Sequence, residues 1–187
     1  MRIINHMLVT NQDLQRMFNF SPGQIRRWAV LILGKDPASP QSGGVSRKYD
    51  RDDAFLIVLL GMLISEYNIG QKEALEHIAI IGHKLKMVGL LPSRYKDTIA
   101  ELCDLYDANW WMPIYLTIFP GKNYRLEIKL KYQKSVEDGI IKRNEEILRK
   151  EFTSDEKEFY KSPFGPEYTL HLSMLMTWFN SDIRSSG

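Results

Sequence analysis

The 187-residue chain has a single cysteine, Cys103, so an intrachain disulfide framework is excluded. Its four histidines are scattered, with no cysteine or carboxylate at ligand spacing beside them, and we expect no metal site. There is no phosphate-binding Gly-Lys-Ser/Thr loop and no nucleophile elbow. The usual sequence signs of an enzyme are therefore missing, and we expect no catalytic residue and no cofactor.

Long hydrophobic runs are missing as well. The longest, Ala54 to Ile64, has eleven residues and is too short to span a bilayer. No signal-peptide pattern stands at the start of the sequence. We therefore expect a cytoplasmic protein with no membrane partner, and the hydrophobic content of 44% suffices to bury one large or two small cores.

Two capping boxes stand eleven residues apart, at Thr10–Asp13 and at Ser21–Gln24. In each, the hydroxyl of the first residue can accept a hydrogen bond from the backbone N–H three residues later. The polar side chain of that later residue can accept one from the backbone N–H of the first residue. Pro22 strengthens the second helix start, where its missing N–H costs nothing. The pattern predicts two short helices joined by a tight turn. The second helix carries Arg26 and Arg27 near its N-terminal end, which is typical of a DNA-reading helix-turn-helix.

A turn-rich loop, residues 34–44, follows the second helix. It leads into the basic residues Arg47 and Lys48, then Tyr49, and Asp50 can begin a third helix. A basic loop tied back to a new helix indicates a wing.

These parts, in this order and spacing, resemble the MerR family of winged-helix regulators. The resemblance covers roughly residues 5 to 81. It implies an N-terminal winged helix-turn-helix domain over residues 1–82 that binds double-stranded DNA sequence-specifically and regulates transcription as a homodimer. The family's first helix, recognition helix and wing end are matched by Asn11–Phe18, by Ser21–Leu33 with Arg26 and Trp28, and by Gly44–Asp50.

The expected DNA contacts come from the second helix and the wing. Side chains in the first turns of a recognition helix reach base edges or flanking phosphates, and a wing touches the backbone beside the minor groove. Trp28 is expected in the core, whereas Tyr49 either bonds a phosphate or packs inward. The DNA-binding residues are predicted to be Ser21, Gln24, Arg26, Arg27, Arg47, Lys48 and Tyr49.

Charge is distributed unevenly along the chain. Residues 1–49 hold seven lysines and arginines against two acidic residues, while the remainder holds eighteen against twenty-one, so the net charge of +2 hides a basic N-terminal segment. Such an excess suits phosphate contacts, although a basic face can also serve only solubility.

The predicted third helix is apolar on every side from Ala54 to Ile64, so it must be covered all round. We expect the cover to come from the C-terminal region or from a second copy of the chain. A fourth helix is predicted over Gly70–Ile81. Gly82, Gly89 and Pro92 then interrupt any long helix, so a dimer would need a surface other than the coiled coil of MerR proteins.

Residues 90–187 are predicted to form a small α+β domain for effector binding, dimerisation or protein interaction. Alternating patterns on either side of residues 120–123 predict a β-hairpin that helices must cover. Further helices are expected over residues 95–108, from Ser135 to about Phe152, and from about Glu167 onwards.

Aromatic residues are frequent in this predicted domain. They are numerous enough to line a pocket for a small-molecule effector, but aromatics at strand and helix spacing also build ordinary cores. The candidate pocket residues are Trp110, Trp111, Tyr115, Tyr124 and Trp178.

The favoured interpretation is an α+β protein whose winged helix-turn-helix makes it a sequence-specific transcriptional regulator. Two alternatives remain open at this point. The same head could serve an architectural, excisionase-like or packaging protein that bends or marks DNA, or it could dock a protein partner instead of DNA.

Overall fold

A computed structural model of the chain describes residues 8–35, 47–106, 113–119, 122–137, 140–153 and 168–180. These residues divide into two compact units, an N-terminal unit ending at Ser93 and a C-terminal unit from Arg94 to Asn180. The described part is mixed α and β, with six helices and two sheets.

The N-terminal unit contains four helices and a short antiparallel sheet. The sheet pairs Val9 with Tyr49 and Thr10 with Lys48. In chain order the elements are β1 (Val9–Thr10), α1 (Asn11–Phe18), α2 (Pro22–Leu33), β2 (Lys48–Tyr49), α3 (Arg51–Ser65) and α4 (Gln71–Met87).

Both predicted capping boxes are confirmed. The Thr10 hydroxyl accepts from the Asp13 N–H at 3.2 Å, and the Asp13 carboxylate accepts from the Thr10 N–H at 2.9 Å. Ser21 and Gln24 exchange the equivalent bonds at 3.3 and 2.9 Å. Asn19, with φ at 55°, ends α1 in the left-handed conformation, so the chain turns within three residues into α2.

Helix α3 is the centre of the N-terminal unit. It is apolar on all sides and buried along most of its length, as its sequence predicts. We expected the C-terminal region or a second copy of the chain to cover this helix. That expectation is wrong, because α1, α2 and α4 of the same unit pack around it. The apolar surface of α3 therefore gives no support for a dimer.

The helix break expected at Gly82 is also wrong, because this residue lies inside α4. A Cβ at Gly82 would come 3.1 Å from a methyl of Leu56 on α3, so the glycine allows the two helices a close approach. The chain leaves α4 beyond Met87, where Gly89 has a φ of 69°.

The C-terminal unit is built on a four-stranded antiparallel sheet in the order β5-β4-β3-β6. Helix α6 packs against β3. The elements are α5 (Pro92–Tyr106, whose first two residues belong to the N-terminal unit), β3 (Ile114–Phe119), β4 (Asn123–Glu137), β5 (Ile140–Thr153), β6 (Tyr168–His171) and α6 (Leu172–Asn180).

The two faces of this sheet differ in character. The stretches considered are residues 114–119 of β3, 123–129 of β4, 147–151 of β5 and 168–171 of β6, where paired residues have the same parity. In these stretches even-numbered residues share one face, which we call the apolar face, and odd-numbered residues share the other, the polar face. On the apolar face the side chains of Ile114, Leu116, Ile118, Tyr124, Leu126 and Leu170 are buried. The predicted hairpin and its buried face are confirmed.

The helix expected from Ser135 to Phe152 is wrong. This segment supplies the end of β4 and the whole of β5, which pairs with β4 along its length. Its Glu, Lys and Arg residues favour helix locally, but the long-range pairing with β4 overrides that propensity.

The last helix begins later than expected. Tyr168 lies in β6, opposite Ile118 of β3, and α6 starts only at Leu172. A four-residue strand directly before a helix is too short for its alternation to stand out from the helical pattern.

Candidate nucleic-acid interface

Helix α2 has one buried and one exposed face. Ile25, Trp28 and Ala29 are buried in the N-terminal unit. Gly23, Arg26, Arg27 and Val30 are exposed, and their spacing places them on one stripe along the helix. The two adjacent arginines therefore share the outward face of a helix that is held from behind.

Trp28 holds α2 on α3 from the inward face, and its predicted core position is confirmed by an exposed fraction of 3%. Its ring lies edge-on to Phe20, with 4.8 Å between ring centroids. The other side of the ring lies against Gly61 of α3, where a Cβ would come within 2.4 Å of Trp28 Cζ3. Because any side chain at residue 61 would meet the ring, Gly61 helps to fix how deeply α2 sits. This role is not recognisable from the sequence, where Gly61 only interrupts an apolar run.

Gly23 lies one turn before the arginines on the exposed stripe. A Cβ at this residue would meet nothing within 4 Å, so packing inside the protein does not require glycine here. A glycine on an exposed helical turn gives the backbone itself to an approaching molecule.

Ser21 and Gln24 serve the start of α2. The Ser21 hydroxyl and the Gln24 side-chain oxygen both take part in the capping box. Gln24 therefore has its NH₂ group, rather than its whole amide, to offer a ligand.

The predicted wing end is anchored to the start of α1. Lys48 is exposed and pairs with Thr10 in the short sheet, and the Asn11 N–H donates to the Arg47 carbonyl at 3.2 Å. The chain before them, residues 36–46, is outside the described residues and contains most of the predicted wing.

Tyr49 does not join this surface. It is 2% exposed, and its hydroxyl donates to Asn11 Oδ1 at 2.6 Å. Of its two expected roles, inward packing is the one observed, and its place among the predicted DNA contacts is corrected accordingly. Tyr49 ties β2 to α1 and so positions the exposed Lys48 beside it.

Acidic residues follow directly at the start of α3. The Asp50 carboxylate caps the helix by accepting from the Asp53 N–H at 2.8 Å. Burial, and then the neighbouring charge of Asp50, raise the pKa of the Asp53 carboxyl to about 6. Asp52 accepts two bonds from Ser93, at 2.8 and 2.7 Å. These carboxylates mark where the basic segment ends.

The predicted effector pocket is not assembled among the described residues. Tyr124 is fully buried on the apolar face of the sheet, and Tyr115 lies on the polar face, stacked on His171 at 4.7 Å between ring centroids. Trp178 on α6 is 48% exposed. Trp110 and Trp111 are outside the described residues. Tyr115, Tyr124 and Trp178, the three aromatic residues that can be placed, therefore lie in three different environments and do not line one pocket.

Neither a metal-binding cluster nor a membrane-spanning helix occurs in the described ranges. No three His, Cys, Asp or Glu residues there are grouped so that they could hold a metal ion. No helix in those ranges combines the length and the apolar character needed to cross a membrane.

Comparison of the chain with protein-family models, with curated proteins and with solved structures finds no match.

Proposed function

We propose that the N-terminal unit binds double-stranded DNA with the exposed stripe of α2 in the major groove, and that the protein is a sequence-specific transcriptional regulator of winged helix-turn-helix type. The observation that carries the proposal is the pair Arg26 and Arg27, exposed on the outward face of a helix whose opposite face is buried. Arginine is the side chain that most often reads guanine in the major groove.

The composition of the stripe supports the same docking. The major groove is wide enough to admit an α-helix, whose outward side chains then meet the base edges. Gly23 permits close approach at the N-terminal turn, while Val30, 37% exposed, offers an apolar contact of the kind that thymine methyl groups accept. The stripe thus combines close approach, positive charge and an apolar contact.

Arg47 and Lys48 supply the second part of the proposed interface. Their strand is held to the start of α1 by the pairing with Thr10 and by the bond between Tyr49 and Asn11. From this fixed position they would contact phosphates, which adds affinity without sequence preference.

The test is the selection of bound duplexes from a random DNA pool at about 150 mM salt, where non-specific phosphate binding is weakened. We expect the full chain to enrich a motif and the Arg26→Ala/Arg27→Ala variant to lose it. The matched control is Lys72→Ala/Lys86→Ala, which removes two exposed positive charges from α4 of the same unit. If Arg27 reads a base, Arg27→Ala alone costs about 1 to 3 kcal/mol of binding free energy on the selected motif.

Three outcomes would contradict the proposal. Equal loss of binding in both double variants would make net charge, not α2, the cause. Salt-sensitive binding without an enriched motif would favour an architectural protein. No binding to any duplex would leave the docking of a protein partner as the role of α2. The homodimer and the small-molecule effector expected from the sequence remain predictions.

A further inference from the structure

Strand β5 forms one edge of the sheet in the C-terminal unit. It runs for fourteen residues from Ile140 to Thr153, and among the described strands only β4 pairs with it. Edge strands carry a row of backbone N–H and C=O groups that can pair with another strand.

The direction of these backbone groups follows from one hydrogen bond. The Lys129 N–H of β4 donates to the Pro113 carbonyl at 3.0 Å, on the β3 side. Because backbone groups alternate in direction along a strand, the neighbouring even-numbered residues of β4 direct theirs at β5. Odd-numbered residues of β5 lie opposite odd-numbered residues of β4, with Ile147 opposite Lys129. They therefore direct their N–H and C=O groups away from β4, at the edge with which no other described strand pairs.

The odd-numbered residues of β5 form a self-complementary series in the order of the sequence. Ile147, 44% exposed, stands at the centre. Opposite charges flank it at equal distances on the two sides, in the order Arg143, Glu145, Ile147, Arg149, Glu151.

We propose that two copies of the chain join through antiparallel pairing of β5 with β5 around a two-fold axis at Ile147. Each Arg143 then stands opposite Glu151 of the second copy, and each Glu145 opposite Arg149. The five pairs of odd-numbered residues supply about ten backbone hydrogen bonds, two for each pair.

Ion pairs within one copy extend this complementarity. Arg125 of β4 binds Glu151 at 2.7 Å, and Glu127 of β4 binds Arg149 at 2.8 Å. Across the joined edges, residues that stand opposite one another on successive strands therefore alternate in charge. One such series consists of Arg125 and Glu151 of one copy, followed by Arg143 of the second copy. Networks of several charges contribute more than isolated surface pairs.

Neighbouring registers are disfavoured by the same charges. A pairing centred on residue 146 would place Arg143 opposite Arg149, and one centred on residue 148 would place Glu145 opposite Glu151. Like charges directly opposite one another destabilise a strand pair. Charges that only protect an edge from pairing need no such symmetry, and an exposed isoleucine at their centre works against protection.

The test measures the mass of the full chain in solution at about 100 µM, together with disulfide cross-linking of Ile147→Cys under mild oxidation. We expect a dimer mass for the unmodified chain. In the proposed pairing the two Cα atoms of residue 147 are about 5.5 Å apart, which is within disulfide range. Ile147→Cys should therefore give a covalent dimer.

The matched control is Lys150→Cys, which is also exposed on β5. In the proposed register the two copies of residue 150 are six residues apart along the strands, about 20 Å, so they should not cross-link. Cys103 is buried and common to both variants, so any contribution from it appears equally in each. A monomeric mass, absence of an Ile147→Cys cross-link, or equal cross-linking of Lys150→Cys would each overturn the proposal. None of these measurements uses DNA, so the result does not depend on the proposed function.

Discussion

The packing of Trp28 against Gly61 predicts that Gly61→Ala destabilises the N-terminal unit. The added Cβ would lie 2.4, 2.8 and 2.9 Å from three atoms of the indole ring. Carbon atoms pack at about 3.5 Å or more, so the ring and the helix must separate by about 1 Å. Trp28 is 3% exposed and is held on another side by Phe20, so the ring cannot swing away.

The expected magnitude is the difference between two opposing effects. Alanine stabilises the interior of a helix over glycine by about 1 kcal/mol. Overpacking a buried contact of this kind costs about 1 to 3 kcal/mol, and the distances at Gly61 place it at the upper end of that range. We expect Gly61→Ala to lower the free energy of unfolding by about 1 to 2 kcal/mol.

Gly82→Ala is the matched control, because Gly82 also lies inside a helix of the same unit. Its Cβ would come 3.1 Å from a methyl group at the end of the half-buried Leu56 side chain, which can rotate by the few tenths of an ångström required. The helix preference for alanine then dominates, and stability should stay equal or rise by up to about 1 kcal/mol.

Urea denaturation followed by helical circular dichroism measures both variants, since most of the described helix lies in α1 to α4. A Gly61→Ala protein as stable as Gly82→Ala would refute the close packing of α2 on α3. It would also remove the fixed depth of α2 on which the placement of Arg26 and Arg27 depends.

Two further predictions concern the proposed interface and the start of α3. Gly23→Ala has open space for its methyl group, so it should raise the free energy of unfolding by about 0.5 to 1 kcal/mol. It should nevertheless weaken binding to the selected DNA motif, which titration of both proteins with that duplex measures. Unchanged affinity would mean that the backbone of this turn does not approach DNA. The pKa of Asp53 is raised to about 6 in the folded protein, from an ordinary value of 3.8. The protonated carboxyl therefore stabilises the folded state fully below about pH 4, and this stabilisation is lost as the pH rises through 6. Asp53→Asn should therefore be as stable as the unmodified protein near pH 4. At pH 7 it should be more stable by up to about 1 kcal/mol, a value that allows for solvent screening of this half-buried carboxyl. Lower stability of the variant at pH 7 would show that the favourable interaction of the carboxylate with the helix dipole outweighs the effect of burial.

Local signals in the sequence predict the helices of the N-terminal unit well. The capping boxes at Thr10 and Ser21 act over three residues, so the sequence alone specifies both helix starts and the exposed position of Arg26 and Arg27 between buried Ile25 and Trp28. The same short range allows the hairpin of β3 and β4 to be predicted.

Features that depend on distant residues could not be predicted in this way. β5 is a strand because β4 is available to pair with it, although its own residues favour helix. Gly82 lies inside α4 because α3 crosses close to it, and Tyr49 is buried because Asn11, thirty-eight residues earlier, accepts its hydroxyl bond. At the candidate interface the sequence indicates the arginines but not Gly61, whose effect appears only when two helices meet.

The position of β6 has a consequence for the order in which the protein can fold during synthesis. Strand β3 pairs with β4 almost at once, but its other edge is completed only by residues 168–171, about fifty residues later in the chain. Until then the uncharged segment Ile114–Phe119, rich in β-branched and aromatic residues, has one open edge of the kind that seeds aggregation. Chains that end before Tyr168 should consequently accumulate as insoluble aggregates. Chains that reach Asn180 supply both β6, which pairs with the open edge of β3, and α6, which packs against β3.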